Sequence, residues 1–348
     1  MRHRYRLREI AAQAGLSLAT VDRVLNERGG VRESTVREVF GAIEDLDRQR
    51  AQLRVGGRTF MIDVVVQAPP RFSAAVRSAL EAELPALRPA VIRARFHLLA
   101  SSAVPDLLAV LGRVARTNSH GVIVKAPDVP EVVAAVDVLD RQRVPVVTLV
   151  TDLPSSRRVA YLGIDNRAAG ATAAYLVEQW LGERPGDVLV VRGRGSYHGE
   201  DEREAGFRAE MRSRAPHRRQ VDVVDEEDRA DVVHAGTRVA LAQHREIRGV
   251  YSMYAGAGGN AAVIDAFRAA GRAYAVFIAH DLDGENTLLL RQGQISAVLH
   301  HDLRQDLRRA CHAVLRARNV LPGPLRSNPS AIQVITPHNA PPVLFGPD

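Results

Sequence analysis

The sequence predicts an α/β protein: a small all-α head followed by a two-lobed body of doubly wound parallel sheets. Three observations carry that expectation. Apolar residues recur at helical spacing from Leu7 to Leu46. From residue 58 onward, short apolar runs alternate with helical stretches, the pattern of parallel sheets built from strand-helix-strand units. The runs number eleven, too many for one small doubly wound unit, so two lobes are expected. With 348 residues, 46% hydrophobic and 25% charged, the chain has the apolar surface for sizeable cores, and disorder is excluded as its overall state.

In the head, Leu7, Ile10, Ala11 and Ala14 share a helical face, Gly15 interrupts, and Val21, Val24 and Leu25 resume the spacing after Ser17. Ser17 is placed to cap the second helix, because its hydroxyl can accept from a free backbone N–H of the first turn. A third helix carries Val36, Val39, Phe40, Ile43 and Leu46 on one face. Three such helices make a helix-turn-helix core. With Val21, Val24 and Leu25 turned inward, the second helix presents Ser17, Leu18, Ala19, Thr20, Asp22, Arg23 and Asn26. That face suits the major groove: Arg23 can pair with guanine or phosphate, Thr20 and Asn26 can bond phosphate or bases, and Leu18 and Ala19 can meet thymine methyls. A small helical bundle with an ordinary solvated face has the same pattern.

In the body the strands read FMIDVVV, VIRARFHLL, GVIVK, PVVTLV, VAYLGI, DVLVV, QVDVV, GVYSM, YAVFIA, ISAVL and AIQVIT. Open parallel sheets bind ligands beyond the carboxyl ends of their strands. Polar and aromatic residues follow several of those ends: Gln67 and Phe72, Asp152, Tyr254, Asp281, and His300 with His301. Each also has a plain structural reading, since loops are polar and an aspartate after a strand often caps the next helix.

The formal net charge is +7, and Lys125 is the only lysine among 47 basic residues. The position of the charge says more than its total: Arg2, Arg4, Arg6 and Arg8 with His3 form an acid-free arm suited to a phosphate backbone. Cys311 is the one cysteine, which leaves no internal disulfide and no thiol-based metal cage. The amino terminus lacks the apolar core of a signal peptide, and no apolar run approaches a membrane span, so a cytoplasmic protein is expected.

The stretch LREIAAQAGLSLATVDRVLNERGGVRESTVREVFGAIEDL resembles the head of the lactose-repressor (LacI) family without a gap. The resemblance implies double-stranded operator DNA as partner, with Ser17, Leu18, Ala19, Thr20, Arg23 and Asn26 at the DNA. Asp22 departs from the serine frequent there; it must accept from a cytosine or pair with Arg23 or Arg28 to sit near phosphate. The family's Pro-Asn hinge is replaced by DRQRAQLRVGGR, in which Leu53 is the candidate minor-groove wedge and Gly56-Gly57 the flexible junction. The body, by VPVVTLVTDLPSSRRVAYLGIDNRAAGATAAYLV and YAVFIAHDLDGENTLLLRQGQISAVLHHD, is similar to ribose-binding members of the periplasmic sugar-binding-protein fold.

That second resemblance implies a small sugar or polyol as effector between the lobes. Asp281 matches a binding aspartate, His301 stands where that type has glutamine, Asp201 stands where an arginine is usual, and Val150 replaces another aspartate, with Asp152 as a shifted substitute. With Gln67, Phe72 and Tyr254 these are the candidate effector residues; Arg203 reads as structural. The implied organisation is a head at 1–50, a hinge at 51–58 and a body at 59–348, with lobe one near 59–164 plus 302–330 and lobe two near 165–301 plus 331–348.

No catalytic residues, cofactor or metal are expected. RGRGSYHG lacks the Gly-Lys-Ser/Thr ending of a phosphate loop, so Ser196, Tyr197 and His198 read as cleft or cap residues. Adjacent histidines on a strand point to opposite faces, which keeps His280, Asp281, His300 and His301 from converging on an ion. The expected protein is a DNA-binding regulator acting as a homodimer or dimer of dimers; the resemblance implies a repressor, either released by its ligand, the family's commoner sense, or brought to DNA by the ligand as corepressor. The alternative is a sugar-binding or sugar-metabolising protein whose head serves protein contacts.

Overall fold

Gly15 sets the turn of the head. It closes helix α1 (Leu7–Ala14) in the left-handed region at φ 65°, where a side chain would be strained, and the chain enters α2 (Leu18–Leu25) three residues later. These helices pack with α3 (Glu33–Val55) around Tyr5, Ile10, Ala11, Val21, Val24, Val39 and Ala42. Phe40 departs from expectation: it is 51% exposed. It lies one residue, about 100° of helix, beyond Val39, and the core between Ala11 and Ala42 is closed by small side chains.

The computed structural model describes residues 5–341 apart from 27, 56–57, 88–89, 101–102, 194–196 and 226–227, and no side chains over 48–55. Arg2, His3, Arg4, Gly56, Gly57 and Ser196 therefore lie outside the described residues, as does the side chain of Leu53. Helix α3 runs unbroken through residues 51–55, so part of the expected hinge continues the third helix.

Lobe one alternates β1 (Thr59–Gln67), α4 (Pro70–Glu83), β2 (Val91–Leu99), α5 (Val104–Val114), β3 (Gly121–Lys125), α6 (Pro130–Arg141), β4 (Val146–Leu149) and β5 (Ala160–Leu162). The strands form a parallel sheet in the order β2-β1-β3-β4-β5. The inner strands β1, β3 and β4 are buried on both faces and rich in valine, isoleucine and leucine, as central parallel strands are, while the edge strand β2 is only partly buried and carries Arg93, Arg95 and His97. Lobe two follows with α7 (Asn166–Leu181), β6 (Asp187–Gly193), α8 (His198–Arg214), β7 (Gln220–Asp225), α9 (Ala230–Gln243), β8 (Ile247–Ser252), α10 (Gly259–Ala269), β9 (Val276–His280), α11 (Gly284–Arg291) and β10 (Ala297–His300). The chain then returns to lobe one as α12 (Leu303–Ala317), whose Leu307, Ala310, Cys311 and Val314 join that lobe's core. Burial pushes the Cys311 thiol up to about 12, which keeps it protonated. A short antiparallel strand, β11 (Gln333–Ile335), completes the second sheet, ordered β11-β10-β9-β8-β6-β7.

Three passages join the lobes, and they are bonded to one another. Ser330 donates its N–H to the Gly163 carbonyl at 2.8 Å and bridges to Ile164. The buried Asp306 accepts from Ser330 Oγ on one oxygen, and its other oxygen lies 2.6 Å from His301 Nδ1. Arg309 adds a bond of 2.8 Å to Ser330 Oγ.

Helices α7 and α8 cross at two glycines. A Cβ on Gly170 would stand 1.9 Å from the Arg203 carbonyl oxygen, and one on Gly206 would stand 2.0 Å from that of Arg167. This close approach lets the Arg203 guanidinium reach Asn166 Oδ1, at 2.9 Å from Nη2, at the lobe boundary. Among the described residues no helix is long and apolar enough to cross a membrane.

Candidate functional site

On the head, Ser17 caps α2, its hydroxyl accepting from the Thr20 N–H at 3.1 Å and lying 2.8 Å from the Thr20 hydroxyl. Val21 and Val24 go into the core, which turns Leu18, Ala19, Arg23 and Asn26 to solvent, with Leu18 48% exposed. Asp22 is held rather than free. Arg28 Nη1 donates to its Oδ2 at 3.0 Å, and Asn26 Nδ2 donates to its Oδ1 at 2.8 Å and to its carbonyl at 3.0 Å. The carboxylate is thereby paired, and Asn26 and Arg28 are fixed beside the exposed face. Beside it a shallow groove runs between the two helices, lined by Arg6, Leu7, Arg8, Leu18, Ala19 and Asp22.

In the body, the carboxyl ends of β1 and β3 face the amino-terminal end of α8 across the cleft. Tyr197, which precedes α8, donates its hydroxyl to the Gln67 carbonyl at 2.8 Å. Lys125, ending β3, sets its ammonium 3.6 Å from the centroid of the Tyr197 ring and 5.5 Å from that of Phe72. The Gly199 N–H donates to Thr151 Oγ1 at 3.0 Å, Arg71 Nη2 donates to the Ala255 carbonyl at 2.8 Å, and Arg71 also pairs with Asp283. These contacts span the lobes and close the cleft.

The electrostatics of this region follow from burial. Burial pulls the Lys125 ammonium down to about 8, against the pull of the Glu200 and Asp281 carboxylates. It pushes the Glu200 carboxyl up, opposed by Lys125 and Arg203. His280, buried and 2.8 Å from the Tyr251 hydroxyl, is held well below the ordinary histidine range, so it is neutral. His301 goes the other way: burial opposes its charge, but the bond to Asp306 and the nearby Asp281 and Asp306 carboxylates outweigh it.

The sequence-expected effector residues separate into two groups. Gln67, Tyr254 and Asp281 stand at or just beyond strand ends, and Phe72 lies in the first turn of α4, its ring 5.5 Å from the Lys125 ammonium. Asp281 adopts φ 64°, uncommon for a residue with a side chain, and is fixed by its N–H to the Leu299 carbonyl and its carbonyl to Asn286. Tyr254 spends its hydroxyl on Asp228, leaving its ring against Gly193. Asp152, Asp201 and His301 are engaged or directed elsewhere. Asp152 accepts from Thr148 Oγ1 at 2.7 Å, from the Leu153 N–H at 2.8 Å and from Arg158 Nη2 at 2.6 Å, all inside lobe one. Asp201 is an exposed residue of the first turn of α8, bordering a small recess with Arg192, Glu204 and Tyr254. His301 is buried against Asp306 at the lobe junction.

Sequence reasoning missed Lys125, Glu200 and Arg71. Lys125 carried one usable signal, a lone ammonium closing an apolar strand. Arg203 is structural, donating to Asn166 Oδ1 and to the Met253 carbonyl at 2.9 Å. Val150, where an aspartate is usual, has φ 66°, a strained value for a β-branched residue, and its carbonyl accepts from Tyr161 Oη at 3.1 Å and Asn166 Nδ2 at 3.3 Å. Among the described residues no group of three histidine, cysteine or acidic side chains is placed to hold a metal ion.

No curated protein matches the chain. Among solved structures it is similar to a glucose-galactose binding protein, GanP, of Geobacillus stearothermophilus, with a TM-score of 0.72 at 20% identity over 82% of this chain and 99% of that one. It is also similar to a Bacteroides fragilis protein assigned as a LacI transcriptional regulator, with a TM-score of 0.70 at 15% identity over 81% and 98% of the two chains. A third is a carbohydrate transporter of Acidothermus cellulolyticus bound to myo-inositol, with a TM-score of 0.69 at 17% identity over 81% and 96%. At such identities these likenesses establish the two-lobed fold. The family profile described as bacterial regulatory proteins, lacI family, matches residues 6–49, and the one described as periplasmic binding protein domain matches residues 69–317. The second match spans most of the chain, which therefore belongs to the periplasmic binding protein domain family and carries a lacI-family regulatory head.

Proposed function

We propose that this chain is a cytoplasmic repressor that acts as a homodimer, with two heads on a roughly palindromic operator and a sugar or polyol between the lobes of each body. The observation that carries the reading is the division of α2 into two faces, Val21 and Val24 buried and Leu18, Ala19 and Arg23 exposed, on a head joined to a ligand-binding body. Leu18, Ala19, Thr20 and Arg23 are the proposed base readers. Ser17 contributes by capping the helix, and Asn26 is positioned by Asp22.

Two of the structural neighbours are, by their descriptions, a glucose-galactose binding protein and a protein holding myo-inositol, which supports a polyhydroxylated effector. Gln67, Phe72, Tyr254 and Asp281 are the proposed contacts, together with Lys125, Tyr197 and Glu200. The cleft acts as a binding site without chemistry, and ligand changes the angle between lobes and hence the spacing of the heads. The test is selection of a duplex from random DNA, followed by its titration in rising salt and with pentoses, hexoses and inositols. A palindromic consensus, affinity that falls steeply with salt, and release by one sugar class are expected. Affinity indifferent to salt and sequence sinks the operator reading.

A further inference from the structure

Lys125 is the chain's single lysine, and only 8% of it is exposed, in the interior of the closed cleft. Its ammonium has one long contact, 3.5 Å to the Gln67 carbonyl, and otherwise lies between the Tyr197 and Phe72 rings. Among the described residues no carboxylate stands at ion-pair distance from it. Buried charges are ordinarily paired, because leaving water is costly without a counter-ion. Ring faces attract a cation, but they do not replace an anion. The depressed Lys125 ammonium agrees: burial is the dominant influence, and Glu200 and Asp281 offset it only in part.

The other polar groups of the cleft fix the rest of the chemistry. Asp281 presents a carboxylate with no hydrogen-bond donor among the described residues, and Glu200 adds a second acceptor near Lys125. Both suit ligand hydroxyls. Arg203, a second buried cation near the cleft, is already bonded to Asn166 and Met253. A single available ammonium matches a monoanion; a phosphate would demand more donors than the cleft supplies.

We infer that the effector is a sugar acid, a polyhydroxylated monocarboxylate whose carboxylate pairs with Lys125 and whose hydroxyls meet Asp281 and Glu200. The Phe72 and Tyr197 rings flank the carboxylate end. The inference rests on the sugar reading of the cleft and narrows it.

The experiment is calorimetric titration of the full chain with D-gluconate, D-glucuronate and D-galacturonate, beside D-glucose, D-galactose, myo-inositol, glucose 6-phosphate and acetate. At least one sugar acid is expected to bind roughly tenfold or more tightly than its neutral counterpart and than glucose 6-phosphate. Lys125→Met should weaken that acid by roughly 10- to 100-fold, with Lys125→Gln between. Neither variant should lower the melting temperature of the ligand-free chain, since each removes a buried unpaired charge. The inference is overturned if no sugar acid binds, if a neutral sugar or the phosphate binds as tightly, or if Lys125→Met retains full affinity. Binding of neutral sugars alone overturns it while leaving the sugar reading standing; acetate binding as well as the sugar acids overturns both.

Discussion

The hydroxyl of Tyr197 in lobe two donates to the backbone carbonyl of Gln67 in lobe one across 2.8 Å. The same ring carries the Lys125 ammonium on its face, so one side chain supplies both a directional bond and a cation platform to the closed cleft. Tyr197→Phe removes the first and keeps the second. It should destabilise the closed arrangement by about 0.5–1.5 kcal/mol. Tyr197→Ala should cost more, since the cation-ring contact adds about 0.5–2 kcal/mol. Energy transfer between dyes on the two lobes of the ligand-free chain measures the open fraction. Equal fractions in wild type and both variants would show that this contact does not hold the lobes.

The paired state of Asp22 predicts an effect on DNA discrimination rather than on folding. Its partner Arg28 is largely exposed, and exposed pairs contribute little, so Asp22→Asn should leave the melting temperature nearly unchanged. Binding to random duplex should strengthen, and the slope of log affinity against log salt should steepen by about one unit as Arg28 becomes available to phosphate. Arg23→Ala should instead weaken operator binding itself, lowering discrimination by about 1–3 kcal/mol through the lost base contact. An unchanged salt slope in Asp22→Asn would mean that Arg28 lies away from the DNA.

His301 should make stability fall on the alkaline side. Its folded pKa is raised above 6.5 by Asp306 against the effect of burial, so the proton is held more tightly in the folded chain than in the unfolded one. That stabilisation is complete below about 6.5 and is lost as pH rises through the folded value. His280 and His300, both lowered chiefly by burial, act on the acid side, where the unfolded chain takes up their protons first. His301→Gln should therefore flatten the decline in melting temperature above neutrality and leave the acid limb in place. The same alkaline decline in wild type and variant would assign the effect to other groups.

Gly170→Ala places a methyl on the Arg203 carbonyl, where the glycine leaves a 1.9 Å approach. Helices α7 and α8 must part, at a cost of about 1–3 kcal/mol or more for overpacking. The shift also carries Arg203 away from Asn166, so lobe two should melt earlier and cleft affinity should drop with it. Gly182→Ala, where no atom crowds the position but φ is 55°, is the control for backbone strain alone. Equal losses in the two variants would argue against helix crowding as the cause.

The inner strands, GVIVK and DVLVV among them, were legible because a parallel strand buried on both faces is apolar nearly throughout, whereas the edge strands β2, β7 and β11 are only partly buried and carry polar residues. The cap at Ser17 and the turn at Gly15 were legible for local reasons, a hydroxyl before a helix and a backbone angle that favours glycine. Phe40 misled because helical spacing does not say how wide a face a three-helix core can cover. Asp152 looked available as a residue after a strand, yet Thr148 and Arg158 in the same TLVTDLPSSRR stretch take its oxygens, a pairing the spacing could have suggested. Lys125 was opaque for a different reason. Its meaning depends on Tyr197, from the other lobe, and sequence alone does not bring those two residues together.

The carboxylate of Asp306 has a mechanical consequence. It belongs to lobe one, yet it grips His301 at the end of one passage between lobes and Ser330 at the start of another, while Ser330 is bonded to the third through Gly163. Separate connectors would let the lobes slide, shear or twist independently. Fastened at one point, they leave chiefly a swing about that point, and each residue travels an arc proportional to its distance from it. Ligand contacts near the cleft mouth thus act on a long lever arm, and a small closure there becomes a defined angle for everything attached to lobe one.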